Sequence, residues 1–179
     1  MLIDERQDTY NSIGRIFNGA KAISAKNWVL PEDASCLFNG DSNQTSTIET
    51  IDVTGWDLTN TKYLNDLFSY HTNLKNIIGL DTWDTSNIKS MDTMFEYNSS
   101  LTEIDISSFA ATNLEDVSNM FSDCTNLEEV NFSTSGNKIT NVEAMFYNTP
   151  NLRKVNLSGL NMVNAEGMVF SYSSTISTN

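Results

Sequence analysis

The sequence is poor in the residues from which most active sites are built. It contains one histidine, His71, and two cysteines, Cys36 and Cys124, in 179 residues. Two cysteines do not make a disulfide framework. Basic residues are scarce. Ten Lys and Arg stand against 23 Asp and Glu, a net charge of −13 with pI near 4.2. Such a chain repels phosphate backbones, so no nucleic acid is expected as a partner. Adsorption on an anionic membrane surface is disfavoured for the same reason. A basic partner or a bound cation suits the charge better. No run approaches the roughly 18–20 apolar residues that span a bilayer, which argues against membrane insertion. The start, Met1-Leu2-Ile3-Asp4-Glu5-Arg6, has no positive segment followed by an apolar one and does not read as a secretory signal. There is no Walker loop, no Gly-x-Ser-x-Gly and no dinucleotide fingerprint, so neither an enzyme nor a cofactor is expected. No Asp-x-Asp-x-Asp-Gly loop occurs either. Asp81 and Asp84, flanking Trp83, read as solvated carboxylates.

What the sequence does hold is a repeat. Hydrophobic residues make up 39% and charged ones 18%, a balance that supports a buried core. Phenylalanine recurs at Phe17, Phe38, Phe68, Phe95, Phe121, Phe146 and Phe170, with spacings of 21, 30, 27, 26, 25 and 24. Such spacings fall in the range of leucine-rich repeats. Six residues after the anchor stand Ile23, Leu74, Leu101, Leu127 and Leu152. Nine after it stand Ile77, Ile104, Val130 and Val155, and eleven after it Trp28, Ile106, Phe132 and Leu157. The second unit shows the same pattern four residues late, as Ile48, Ile51 and Val53, past a polar loop at Gly40–Ser46. Positions +9 and +11 share one face of a strand. Strands are therefore expected near Ile48–Val53, Leu74–Ile78, Leu101–Ile106, Leu127–Phe132 and Leu152–Leu157. Before each anchor the period changes. Ile88, Met91, Met94 and Phe95, like Leu114, Val117, Met120 and Phe121, follow helical spacing over about two turns. Ser86 and Thr112 stand at the N-cap position, and Thr112 with Glu115 makes a capping box. Trp56, Trp83 and Phe109, twelve residues before their anchors, read as core residues at the corner of each coil.

The expected fold is thus α/β: a right-handed, leucine-rich-repeat-like solenoid with one parallel strand and one short helix per coil. It forms one domain, an N-terminal helical cap over residues 1–19 and about six coils over 20–179. Tyr10, Ile13, Ile16 and Phe17 carry the helical spacing of the cap. At the other end, Ile176 stands where a new strand should begin. This last coil reads either as a polar cap or as an open edge through which the chain self-associates.

The runs Trp83-Asp84-Thr85-Ser86-Asn87-Ile88-Lys89-Ser90-Met91-Asp92-Thr93-Met94-Phe95 and Phe121-Ser122-Asp123-Cys124-Thr125-Asn126-Leu127 resemble the BspA-type leucine-rich repeats, as does the opening Ala22–Pro31. The resemblance covers about residues 20–176. It implies a surface protein of bacteria or some protists, often an adhesin or a binder of host proteins.

Candidate functional residues follow from the register. Positions +8 and +10 face away from the core. Among them Asp52, Asn76, Glu103, Asp105, Glu129, Asn131 and Lys154 are the candidate binding face. The carboxylates there are expected to repel one another on strands about 4.8 Å apart, a repulsion that a basic protein partner would relieve. His71, Asn98 and Cys124 share one column, a trio that suggests a thiol hydrolase. His71 and Cys124 stand two coils apart, however, about 10 Å by strand spacing, too far for nucleophile and base. Cys36 and Cys124 are three coils apart, about 14 Å, which forbids a disulfide. The expected function is a non-enzymatic protein-binding or adhesion module. The alternative is a structural or assembly component, such as part of a virion or an intracellular complex.

Overall fold

The computed structural model describes residues 13–17, 19–110, 112–132, 138–158 and 177–178. Among these the chain winds as a parallel β-solenoid of about five turns. Each turn contributes one three-residue strand: β1 Ala22–Ser24, β2 Thr50–Asp52, β3 Asn76–Ile78, β4 Glu103–Asp105, β5 Glu129–Asn131 and β6 Lys154–Asn156. A last short strand, β7 Ser177–Thr178, pairs with β6. The middle residue of each strand turns inward. Ile23, Ile51, Ile104, Val130 and Val155 are buried, and Ile77 is packed partly buried against the same core. Leu74, Leu101, Leu127 and Leu152 are buried three residues earlier, and Val53, Ile106 and Phe132 two residues later. From the second coil onward the strand columns are those the spacing predicts.

All pairings are parallel, Ile23↔Ile51↔Ile77 and Ile104↔Val130↔Val155, and from Ile51 onward they follow the expected register. They form two sheets rather than one, however. β1–β2–β3 is separate from β4–β5–β6–β7, with no ladder between β3 and β4. One extra residue marks the break. Trp83 lies six positions after Ile77, whereas Trp56 lies five after Ile51 and Phe109 five after Ile104. The extra length is taken up by a left-handed Gly79 (φ 96°) and a 3-10 turn at Leu80–Thr82. Glycine is required there, since a Cβ on Gly79 would stand 2.5 Å from the Thr54 Cα.

The expected helix in each coil is absent. The one α-helix among the described residues is α1, Ile13–Ile16, and residues 1–12 of the expected cap lie outside those described. Ahead of each anchor the backbone instead visits the left-handed region at the −2 position: Cys36, Asp66, Thr93, Asn119 and Ala144 have φ of 51–58°. It does so again at +2, in Tyr70, Tyr97, Asp123 and Asn148. A right-handed helix cannot contain such residues. The hydrogen bonds explain the conformation. Met91, Thr93, Phe95 and Tyr97 donate their N–H groups to Asp116, Ser118, Met120 and Ser122 of the next coil, at 2.9–3.0 Å. The alternate amides close turns within the coil, as Met94 to Met91 O and Glu96 to Thr93 O. Three-residue turns bury every third side chain, and this imitates helical periodicity. Ser86 and Thr112 accordingly cap no helix. The Ser86 N–H donates to Asp84 Oδ1, and Thr112 Oγ1 donates across the coils to Ser86 O. A second ladder, Asp33↔Tyr63↔Ser90↔Asp116↔Asn141, runs unbroken through five coils on this side.

Two aromatic columns fill the interior. Phe38, Phe68, Phe95, Phe121 and Phe146 succeed one another at 5.6–6.3 Å between ring centroids. Trp28, Trp56, Trp83 and Phe109 stack at 5.4–6.3 Å and nearly parallel. This corrects the sequence alignment of the first coil. Trp28 belongs to the corner column, not the strand, and Ile23 pairs with Ile51 rather than lying in the Leu74 column. Phe17 is 45% exposed and is no core anchor. Apolar spacing alone fits the first coil at two offsets, and the inter-coil bonds Ala25 N–H to Asp52 O (2.8 Å) and Asn27 N–H to Thr54 O (3.0 Å) select one. Phe170 lies outside the described residues.

Candidate functional site

The outward face of the strands carries the candidate residues, and alternation along each strand places them there. Asp52 stands on β2 in the first sheet. It pairs with Lys26 at 2.9 Å and accepts the Thr54 hydroxyl at 2.6 Å. The Thr54 hydrogen bond, then Lys26, holds its carboxyl below the usual range. Glu129 pairs with Lys154 at 2.9 Å. Asp105 accepts from the Ser107 hydroxyl at 2.6 Å and the Ser107 N–H at 3.0 Å, which lower its pKa. It also accepts from Asn131 Nδ2 at 3.1 Å, and Asn131 Oδ1 in turn accepts from Asn156 Nδ2 at 2.9 Å, a polar ladder across three coils. The expected mutual repulsion of these carboxylates is therefore largely neutralised locally. Glu103, opposite Glu129 in the register, is the one of the four without a side-chain partner among the described residues.

Six of the seven candidates line one groove of about 410 Å³: Asn76, Glu103, Asp105, Glu129, Asn131 and Lys154. Asp52 does not reach it. The groove straddles the break between β3 and β4. Its apolar lining comes from Ile77, Leu80, Leu101 and Ile104 of the two facing coils and from Val130 of the next, all core residues. Sequence reasoning missed Lys75 and Leu80, which also line it, and left the outward +10 residue Asn156 out of the candidates. The extra residue before Trp83 was the signal that could have found the break.

The His71–Asn98–Cys124 column serves the backbone. His71 Nε2 meets Phe38 O, Asn98 Nδ2 donates to Phe68 O at 2.9 Å, and Cys124 Sγ donates to Phe95 O at 3.0 Å. Each side chain thus ties its coil to the anchor carbonyl of the coil before. Ser46 Oγ stands 2.8 Å from His71 Nδ1, so the ring has a partner at both nitrogens. Burial lowers the His71 pKa and pushes the Cys124 thiol up to about 12. No disulfide links Cys36 and Cys124. Near the same turns, burial, then Asp66 and Asp123, raise the Glu96 carboxyl to about 7. Among the described residues no group of three or more His, Cys, Asp or Glu could hold a metal ion, and no helix is long and apolar enough to cross a membrane.

Compared with known families, residues 32–162 match one described as a Mycoplasma protein of unknown function, DUF285. The chain belongs to this family. The match takes in every anchor from Phe38 to Phe146, so the family's defining region is the stack of coils that builds the groove. No match was found among curated proteins or solved structures.

Proposed function

We propose that this DUF285 protein is a non-enzymatic protein-binding module that uses the strand face around the β3–β4 groove. The observation that carries the reading is the groove itself. It gathers an apolar floor, a carboxylate with no side-chain partner among the described residues, and a polar ladder on the surface that solenoids use for recognition. Its chemistry suits recognition better than catalysis, since the one histidine and the one fully buried thiol are committed to backbone carbonyls elsewhere. The resemblance to BspA-type repeats extends the proposal to a surface or adhesion role, with a partner that carries positive charge. An assembly role is the alternative, in which the partner is another copy of the chain or a component of the same particle.

Site-specific photo-crosslinking separates these readings. A photoreactive side chain replaces Glu103 in the groove or Glu143 on the turn side, and the protein is irradiated in extracts of its source cells and their surroundings. The expected result is a discrete heterologous adduct at position 103 and none at 143. Adducts at 143 alone would overturn the strand-face assignment. Adducts between copies at either position would favour the assembly role.

A further inference from the structure

Elsewhere in the solenoid, two consecutive amides at the start of each strand share one carbonyl of the preceding coil. Lys75 and Asn76 donate to Glu49 O at 2.9 and 3.2 Å, Glu128 and Glu129 to Thr102 O at 2.7 and 3.2 Å, and Arg153 and Lys154 to Glu128 O at 3.0 and 3.1 Å. The equivalent bonds from Thr102 and Glu103 to Lys75 O are missing. At the far end of the strands, Ala25, Val53, Ile106 and Phe132 each donate across the coils at 2.8 Å, to Asp52, Ile78, Asn131 and Asn156. No amide of the Ile77 coil donates in this way to Asp105 O. The amides of Thr102 and Glu103 and the carbonyls of Lys75 and Asp105 therefore have no backbone partner among the described residues, and Lys75, Glu103 and Asp105 line the groove. The opening is one-sided. Behind it Ser90 still bridges both Tyr63 and Asp116, and the Phe68 and Phe95 rings remain 6.0 Å apart.

We propose that this split is a docking slot for a short extended segment of another protein, which adds a strand between β3 and β4. The inference rests on the strand-face reading above and specifies the partner. Strand addition at an open edge takes its affinity from main-chain hydrogen bonds and its selectivity from alternate side chains. Here alternate residues meet Ile77, Leu80, Leu101 and Ile104 and are apolar. The charge of the partner follows from the rim. Lys75 is taken by Glu49 and Lys154 by Glu129, both at 2.9 Å, while Glu103 has no side-chain partner among the described residues. With a net charge of −13 on the whole chain, the segment carries Lys or Arg between its apolar residues.

The test is a titration of the 15N-labelled full chain with a pool of acetylated pentapeptides alternating Val or Ile with Arg or Lys. A second pool has the same sequences with alternate backbone nitrogens methylated. The first pool should shift the amide resonances of Thr102, Glu103, Gly79 and Leu80. The methylated pool should bind about tenfold more weakly, having lost the main-chain donors. Glu103→Gln, which keeps the fold, should weaken binding about threefold at low salt and little at high salt. Equal binding by the two pools, shifts confined to other coils, or no shift at the highest soluble peptide concentration would each overturn the slot. So would protection of the same amides by self-association without peptide. If peptides fail while crosslinks still form at position 103, the slot is wrong and the strand-face reading stands. If position 103 yields no heterologous crosslink, that reading fails.

Discussion

At the residue scale, the fold is carried by side chains that repeat one job in successive coils. Phe95 is fully buried, stacked 6.0 Å from Phe68 and 5.6 Å from Phe121. Truncating it opens a cavity between two coils and removes both ring contacts. Phe95→Ala is expected to cost about 3–5 kcal/mol, read as a lower midpoint in chemical denaturation. An unchanged midpoint would show that the anchor column is not the core. Two titrating groups act with opposite sign. Glu96 is raised to about 7 from an ordinary value near 4.5, so between those values the folded chain holds a proton that the unfolded chain releases. Its contribution is fully present below 4.5 and is lost as pH rises through about 7. His71 is lowered from 6.5, so its contribution is present above 6.5 and is lost as pH falls below it. Glu96→Gln removes the first dependence. Discounted for its half-exposed position, the gain is about 1 kcal/mol, or about 2–4 °C in Tm at pH 8, with almost none at pH 4. An equal Tm change at both pH values would exclude titration as the cause.

At the scale of the element, the sequence showed its strands and misled about its turns. Ile104, Val130 and Val155 at +9 could be read directly, because an alternating strand has a period no other element copies. The run Ile88, Met91, Met94 and Phe95 could not. Successive three-residue turns and a short helix bury the same positions, and apolar spacing does not report where the amides point. What decides between them is the left-handed residue at −2, and its occupants here, Cys36, Asp66, Thr93, Asn119 and Ala144, share no side-chain chemistry that would announce it. Only Asp66 and Asn119 are residues that favour this region. Ala144 has φ 51° and no side-chain group to compensate. Ala144→Asn is therefore expected to raise stability by about 0.5–1 kcal/mol, seen as a higher urea midpoint with an unchanged slope. A destabilised variant would mean that this turn is not left-handed in solution.

At the scale of the whole molecule, the strand face was legible and its division was not. Six candidate residues from four strands meet in one groove because the register places +8 and +10 outward in every coil. The break between β3 and β4 turns that face from a continuous sheet into a slot. It comes from a single added residue before Trp83, which spacing between anchors conceals, since the coil remains within the range of its neighbours. The functional proposal depends on this division more than on any one side chain. Amide hydrogen exchange of the free protein, resolved by NMR, tests it most directly. Val53, Lys75, Ile106, Glu128 and Glu129 donate across coils, as do Thr93, Phe95 and Tyr97 on the turn side, and all of these amides should be protected. Thr102 and Glu103 should exchange orders of magnitude faster than Glu128 and Glu129, their equivalents one coil later. Equal protection at the two pairs would mean an unbroken sheet, and would contradict the account.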